Sequence, residues 1–306
     1  MNLSVQIGRL TLRNPVTVAS GTFGYGVEYA RLLDLNRLGA VVVKGIRLDP
    51  VRGNPTPRTA EVASGMLNAI GLQGPGVEGF TARYWPFLAG LEVPTIINIW
   101  GTTVEEYAEV ARRFDALGGV GALELNVSCP NIKEGGAQFG TDLRLLHQVV
   151  AACRKATSLP LITKLSPNVV SIAPYAKAAE EAGCDALSIT NSFPAMAIDI
   201  ETRRPRLANG TGGLSGPCIK PIAIKLVWDA ARAVRIPIIG MGGIQSAADA
   251  IEFMMAGATA VAVGTANFYE PQTALQVMDG LSEFMHRHGI EDVREIVGSV
   301  KMEKRS

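Results

Sequence analysis

This sequence of 306 residues predicts a closed (β/α)8 TIM barrel with an N-terminal hairpin and insertions at the C-terminal rim. Three observations predict it. Eight short apolar, β-rich runs recur along the chain, segments with apolar residues three and four apart separate most of them, and each run ends in a residue with chemistry to offer. In order the runs are VTVAS (16–20), AVVVKG (40–45), TIINIWG (95–101), ALELNVSC (122–129), LITKLSP (161–167), ALSITNS (186–192), PIIGMGG (237–243) and AVAVGT (260–265). Between them, TVEEYAEVARRFDALG and DLRLLHQVVAACRKAT have helical periodicity, with Thr103 or Thr141 as candidate caps.

Three segments depart from this rhythm. SVQIGRLTL reads as a hairpin placed to plug the barrel floor. The Gly/Pro-rich stretch 46–79 is too long for a plain loop, and AIDIETRRPRLANG within 194–217 reads as a hairpin inserted after the sixth strand. Long insertions on one face usually build a site. No linker or composition break divides the chain, so residues 1–306 read as one domain.

Composition excludes several functions. Apolar residues make up 47% and mean hydropathy is +0.20, as expected when parallel strands are buried on both faces. The longest low-polarity stretch, AGATAVAVGTA (256–266), is far short of the roughly 18 residues of a membrane span. The first residues have no basic region leading into an apolar core, so a cytoplasmic location is expected. Lys plus Arg number 29 against 28 Asp plus Glu, so no global field recruits nucleic acid or a membrane. The basic turn ETRRPRL (201–207) reads as a solvated hairpin tip. Cysteines at 129, 153, 184 and 218 are too scattered to pair as metal or iron–sulfur ligands, so no metal site is expected.

The strand ends carry Ser20, Lys44, Asn98, Asn126, Lys164, Asn191, Gly242 with Gly243, and Gly264 with Thr265. Barrel active sites lie at this carboxyl-terminal rim. Any one of these residues alone can simply end a strand, but two lysines after apolar runs need anions or acceptors nearby. GMGGI (240–244) and VGTAN (263–267) fall at the last two strands, where barrels often hold a phosphate, although glycine packing explains either motif taken alone. No G-x-G-x-x-G occurs, which disfavours a dinucleotide site. A mononucleotide such as FMN fits better. Asparagines can hydrogen-bond a flavin edge, and a lysine, here Lys164, can offset the charge of the reduced ring.

NAIGLQGPG (68–76), ELNVSCPN (124–131), KLSPNV (164–169), GGLSGPCIKPIA (212–223), IIGMGGI and AVAVGTANF together resemble the catalytic subunits of class 1B dihydroorotate dehydrogenases, in order from about Ser20 to Phe268. The resemblance implies oxidation of dihydroorotate to orotate in pyrimidine biosynthesis. It implies FMN contacts from Ser20, Lys44, Gly45, Asn98, Asn126, Lys164, Thr190, Gly216, Gly242, Gly243, Gly264 and Thr265. The substrate pocket would use Lys44, Asn68, Ala69, Ile70, Gly71, Leu72, Asn126, Asn131, Asn191 and Ser192. Gly74 stands where relatives often have Asn, Ser192 where Thr is expected, and Trp100 where a small residue is common, which leaves a pocket wall near the third strand open to change.

Cys129 by itself is either a buried inert thiol, as expected for Cys153, Cys184 and Cys218, or a catalytic group just past the fourth strand, before the glycine-rich KEGGAQFG. With the resemblance it becomes the base that removes the C5 proton while hydride leaves C6. The resemblance also implies a partner subunit carrying FAD and a [2Fe-2S] cluster, two copies of each chain, and NAD⁺ as final acceptor. Alternatives are a fumarate-dependent class 1A enzyme, another FMN-dependent pyrimidine oxidoreductase, or a non-enzymatic flavin- or phosphate-binding barrel.

Overall fold

The computed structural model describes residues 1–127 and 139–302. The chain opens with a hairpin, β1 (Val5–Ile7) and β2 (Leu10–Leu12), which buries Val5, Ile7 and Leu12. Gly8 makes its turn at φ +60°, and a Cβ there would come within 2.5 Å of Asp185 Cβ, so only glycine lets the hairpin seat this closely. Arg9 donates to the Ser158 carbonyl at 2.8 Å. Both contacts lie at the amino-terminal mouth of the barrel, where the sequence places a plug.

Barrel strands β3 (Val16–Val18) and β4 (Val41–Ile46) follow. The first insertion then forms β5 (Thr59–Val62) and β6 (Gly65–Asn68), and α1 (Gly76–Arg83) and α2 (Trp85–Leu88) lead back to the barrel. Next come β7 (Thr95–Ile99), α3 (Val104–Asp115), β8 (Ala122–Asn126), α4 (Leu143–Ala156), β9 (Leu161–Lys164), α5 (Ala173–Glu181) and β10 (Ala186–Ile189). The second insertion forms β11 (Phe193–Ala195), β12 (Ile198–Asp199), β13 (Arg204–Pro205) and β14 (Gly212–Ser215). The chain finishes with α6 (Lys220–Ala231), β15 (Ile238–Met241), α7 (Ala247–Met255), β16 (Ala260–Val263) and α8 (Thr273–His288).

All eight predicted runs are strands of one parallel sheet in the order β3-β16-β15-β10-β9-β8-β7-β4. A Thr17–Ala40 bridge and the Gly39 N–H to Val16 O bond at 2.8 Å join its two ends. Nearly every residue of these strands is buried, because side chains fill the barrel on one face and meet helices on the other. Thr103 caps α3 by accepting from the Glu106 N–H, as expected. The cap of α4 is Asp142 rather than Thr141: its carboxylate accepts from the Leu145 N–H at 2.9 Å, and a negative charge also suits a helix start. Cys153 and Cys184 are buried, and burial pushes both thiols up to about 12. Cys218 departs from the expected burial, because it lies exposed on the turn that follows β14.

The two insertions, read separately in the sequence, meet in space. β11, β14, β6 and β5 form one antiparallel sheet with Leu67 opposite Leu214, and Leu67, Ala69 and Leu207 make a small core beneath it. The β12–β13 hairpin projects from this sheet with its basic tip in solvent.

Candidate functional site

Each barrel strand delivers its last polar group to one cavity of about 210 Å³ at the carboxyl-terminal rim. Its lining includes Ser20 after β3, Lys44 and Gly45 of β4, Asn98 of β7, Asn126 of β8, Lys164 of β9 and Thr190 after β10. Gly242 and Gly243 after β15, Gly264 and Thr265 after β16, and Gly216 after β14 complete the expected cofactor set. The insertion sheet roofs it with Asn68, Ile70, Gly71 and Leu72, and Asn191 and Ser192 join from the start of the second insertion. Of the expected residues that are described, Ala69 alone does not line the cavity. Its side chain is buried with Leu67 and Leu207. Cys129 and Asn131 lie outside the described residues.

Local structure aims several of these groups. The β4–β7 register shifts between Val43 and Ile46, and the Lys44 N–H donates to Gly24 O at 2.8 Å instead of continuing the ladder. That irregularity turns Lys44 and Gly45 to the cavity. Behind Gly45 stands Trp100, 4% exposed, with the Arg47 guanidinium over its ring at 5.1 Å and Arg47 paired to Glu106 at 2.7 Å. Trp100 thus backs the wall without forming it. Gly74 is likewise behind the wall, in a backbone bridge with Val51. Tyr107 of α3 donates from its hydroxyl to Asn126 O at 2.7 Å and holds the end of β8. The Asn191 amide donates to Asn126 Oδ1 at 3.4 Å, and its oxygen accepts from the Ser192 N–H at 2.8 Å, so the two asparagines orient each other.

Electrostatically, the described lining of the cavity carries two lysines and no Asp or Glu. Lys164 is 6% exposed, and among the described residues neither its ammonium nor that of Lys44 has a hydrogen bond or an ion pair. Burial holds the Lys44 ammonium below the usual lysine range, and Arg58 adds repulsion. The N–H groups of Gly243, Gly264 and Thr265 also donate to no protein group among the described residues. Gly243 sits at φ +81°, and a Cβ there would meet Gly216 O and Lys220 Cβ at 2.9 Å. Close backbone approach is therefore built in. Such a set, two cations and a run of free N–H donors beside amides, fits an anionic mononucleotide such as FMN.

Sequence reasoning missed several lining residues, among them Thr59, Met66, Ser215, Met241 and Phe268. Thr59, Met66 and Ser215 belong to the insertion sheet, whose pairing joins residues about 150 apart and leaves no local signal. Among the described residues no three His, Cys, Asp or Glu side chains cluster as a metal site, and no helix is long and apolar enough to cross a membrane.

A family model described as dihydroorotate dehydrogenase matches residues 2–285. The chain is 54% identical over 299 residues to a protein of Trichlorobacter lovleyi named dihydroorotate dehydrogenase B (NAD(+)), catalytic subunit, covering 98% of each chain. Proteins with the same name from Geotalea uraniireducens and Desulforamulus reducens are each 52% identical, covering 98% and 99% of both chains respectively.

Proposed function

The chain belongs to the dihydroorotate dehydrogenase family, and we propose that it oxidises dihydroorotate to orotate in pyrimidine biosynthesis, as the catalytic subunit of an enzyme of the NAD⁺-linked type. The observation that carries the site assignment is the pair of partnerless lysines facing unengaged backbone N–H groups across one cavity. Gly243, Gly264 and Thr265 are the donors for an FMN phosphate, with Gly216 and Gly242 allowing its approach. Ser20, Gly45, Asn98, Asn126 and Thr190 border the ring, and Lys164 offsets its charge. FMN, when bound, supplies the acceptor for the hydride leaving C6 of the substrate.

Lys44 is suited to the substrate carboxylate. Asn68, Asn126, Asn191 and Ser192, with Asn131, offer both donors and acceptors to a ring edge of alternating N–H and C=O groups. A pyrimidine with the wrong pattern would leave these amides unpaired, which is a strong basis for rejection. Cys129 follows the end of β8 by three residues in sequence and is our candidate base for the C5 proton, because a thiolate can take up a proton.

Onward transfer to NAD⁺ calls for parts that the sequence of this chain lacks: it has no dinucleotide fingerprint and no clustered cysteines. We assign these to a partner subunit bearing FAD and a [2Fe-2S] cluster, in a cytoplasmic assembly with two copies of each chain. The test is acceptor use by the purified single chain. It should reduce artificial acceptors with dihydroorotate but not NAD⁺, and gain NAD⁺ reduction when the partner is added. Efficient NAD⁺ reduction by the single chain would contradict the reading, and turnover with fumarate alone would move it to the fumarate-dependent class.

A further inference from the structure

The layer of side chains just beneath the cavity holds an acidic residue that the proposed chemistry does not use. Glu124 of β8 is 2% exposed, deep in the barrel. Its Oε1 accepts from Asn98 Nδ2 at 2.6 Å, and its Oε2 accepts from Ser188 Oγ at 2.6 Å. Asn98 lines the cavity, and its Oδ1 is buried without a hydrogen-bond partner among the described residues. That oxygen stands beside Gly45, where an added Cβ would come within 2.8 Å of it.

The Glu124 side chain uses both of its oxygens as acceptors, from Asn98 Nδ2 and Ser188 Oγ. It therefore dictates which way round the Asn98 amide stands, with nitrogen toward Glu124 and oxygen left over. A glutamine at position 124 would fill the same volume with less desolvation cost, and its Oε1 could still accept from Asn98 or Ser188. What it would not do is forbid the inverted pair, in which it donates to Asn98 and the Asn98 nitrogen turns away. We infer that Glu124 is a positioning residue that locks Asn98 as an acceptor for a ring N–H of the bound cofactor. This rests on FMN occupying the cavity. The oxidised flavin ring carries a single N–H, at N3, so an amide locked as acceptor matches it and an inverted amide would oppose it donor to donor.

The test compares binding of FMN and of 3-methyl-FMN, which lacks that N–H, to apoprotein, read by flavin fluorescence. Wild type should prefer FMN by about tenfold or more, the scale of one buried hydrogen bond with its orphaned acceptor. In Glu124→Gln the preference should fall to about threefold or less. Adding Asn98→Asp to Glu124→Gln restores an acceptor-only side chain facing a donor, and should return most of the preference. A merely structural role for Glu124 would weaken both flavins alike and leave their ratio unchanged; that result overturns the proposal. Should Glu124→Gln alone fail to fold, the double variant must fold and show most of the wild-type preference, and its failure to do so is equally fatal. If wild type binds neither flavin, the functional reading falls and this inference with it.

Discussion

At the amino-terminal end of the barrel, buried and half-buried charges are satisfied. The Asp185 carboxylate accepts from Arg154 and from the Leu161 N–H at 2.8 Å and lies 3.6 Å from Arg9. Asp115 Oδ1 accepts from the Thr157 hydroxyl and the Ser158 N–H, each at 2.7 Å, and these bonds, led by Thr157, hold it below the usual carboxylate range. The carboxyl-terminal end reverses this pattern: among the described residues Lys44 and Lys164 have no hydrogen-bonded or ion-paired anion, with only the longer-range pull of Glu28 on Lys44, and three glycine-region N–H groups lack acceptors. One end spends its polar groups on the fold, and the other keeps them for a ligand. Substitutions at the two ends should therefore move different observables.

The largest effect is expected at the candidate base. Cys129→Ala should retain FMN and melting temperature but slow flavin reduction by dihydroorotate at least about a hundredfold, the lower end for general base catalysis. Cys129→Ser should be slow at neutral pH and recover in part as pH rises, since a hydroxyl ionises less readily. Stopped-flow rates near wild type in Cys129→Ala would remove the assignment.

At the floor, Asp185→Ala removes the carboxylate partner of Arg154, which keeps its bonds to the Thr157 and Leu159 carbonyls, orphans the Leu161 N–H and loosens the hairpin. It should cost about 2 kcal/mol in denaturant unfolding of the apoprotein while leaving FMN affinity within about twofold, less than an ordinary hydrogen bond is worth. Equal damage to binding and stability would erase the contrast between the ends.

Lys164→Met is its mirror image. FMN should bind about tenfold more weakly, the scale of one charge-assisted contact, yet the apoprotein should melt no lower than wild type, because a buried ammonium without a partner is relieved. Asn191→Ala should instead keep FMN and weaken orotate. A clear drop in apoprotein melting temperature for Lys164→Met would mean that the lysine is structurally satisfied after all.

The smallest effect is a pH dependence. The folded pKa of Lys44 lies below its unfolded value, so the charged form penalises the folded state at lower pH, and the penalty is lost as pH rises from the lowered pKa through the ordinary one. A bound carboxylate opposes that shift. Orotate affinity should therefore decline on the alkaline side before the usual lysine range is reached, and Lys44→Met should bind weakly with a flat profile there. A wild-type profile as flat as that of the variant would separate Lys44 from the carboxylate.

The barrel was legible because its signals are local: apolar runs such as AVVVKG and LITKLSP mark buried strands, and the lysine ending each apolar core marks the rim. Thr103 announced its helix, whereas Asp142 took the cap beside Thr141 because both residue types cap and sequence alone does not choose. The joining of the two insertions into one sheet was not legible, since β6 and β14 find each other across a long separation through register, not composition. Ala69 shows the same limit: within NAIGL its neighbours reach the cavity, but its own side chain turns into the small core under that sheet. Glu124 was hidden in plain view, a carboxylate inside an apolar strand whose partners, Asn98 and Ser188, lie on other strands.

The central claim is that the partnerless cations and N–H groups of the rim hold a flavin that dihydroorotate reduces. Anaerobic addition of dihydroorotate to the FMN-loaded chain, followed by absorbance in the visible flavin band, tests it most directly. The account requires the yellow colour to bleach in wild type, and in Cys129→Ala only at a rate lower by about a hundredfold. A chain that takes up no FMN, or a yellow protein that stays fully coloured with excess dihydroorotate, would contradict it.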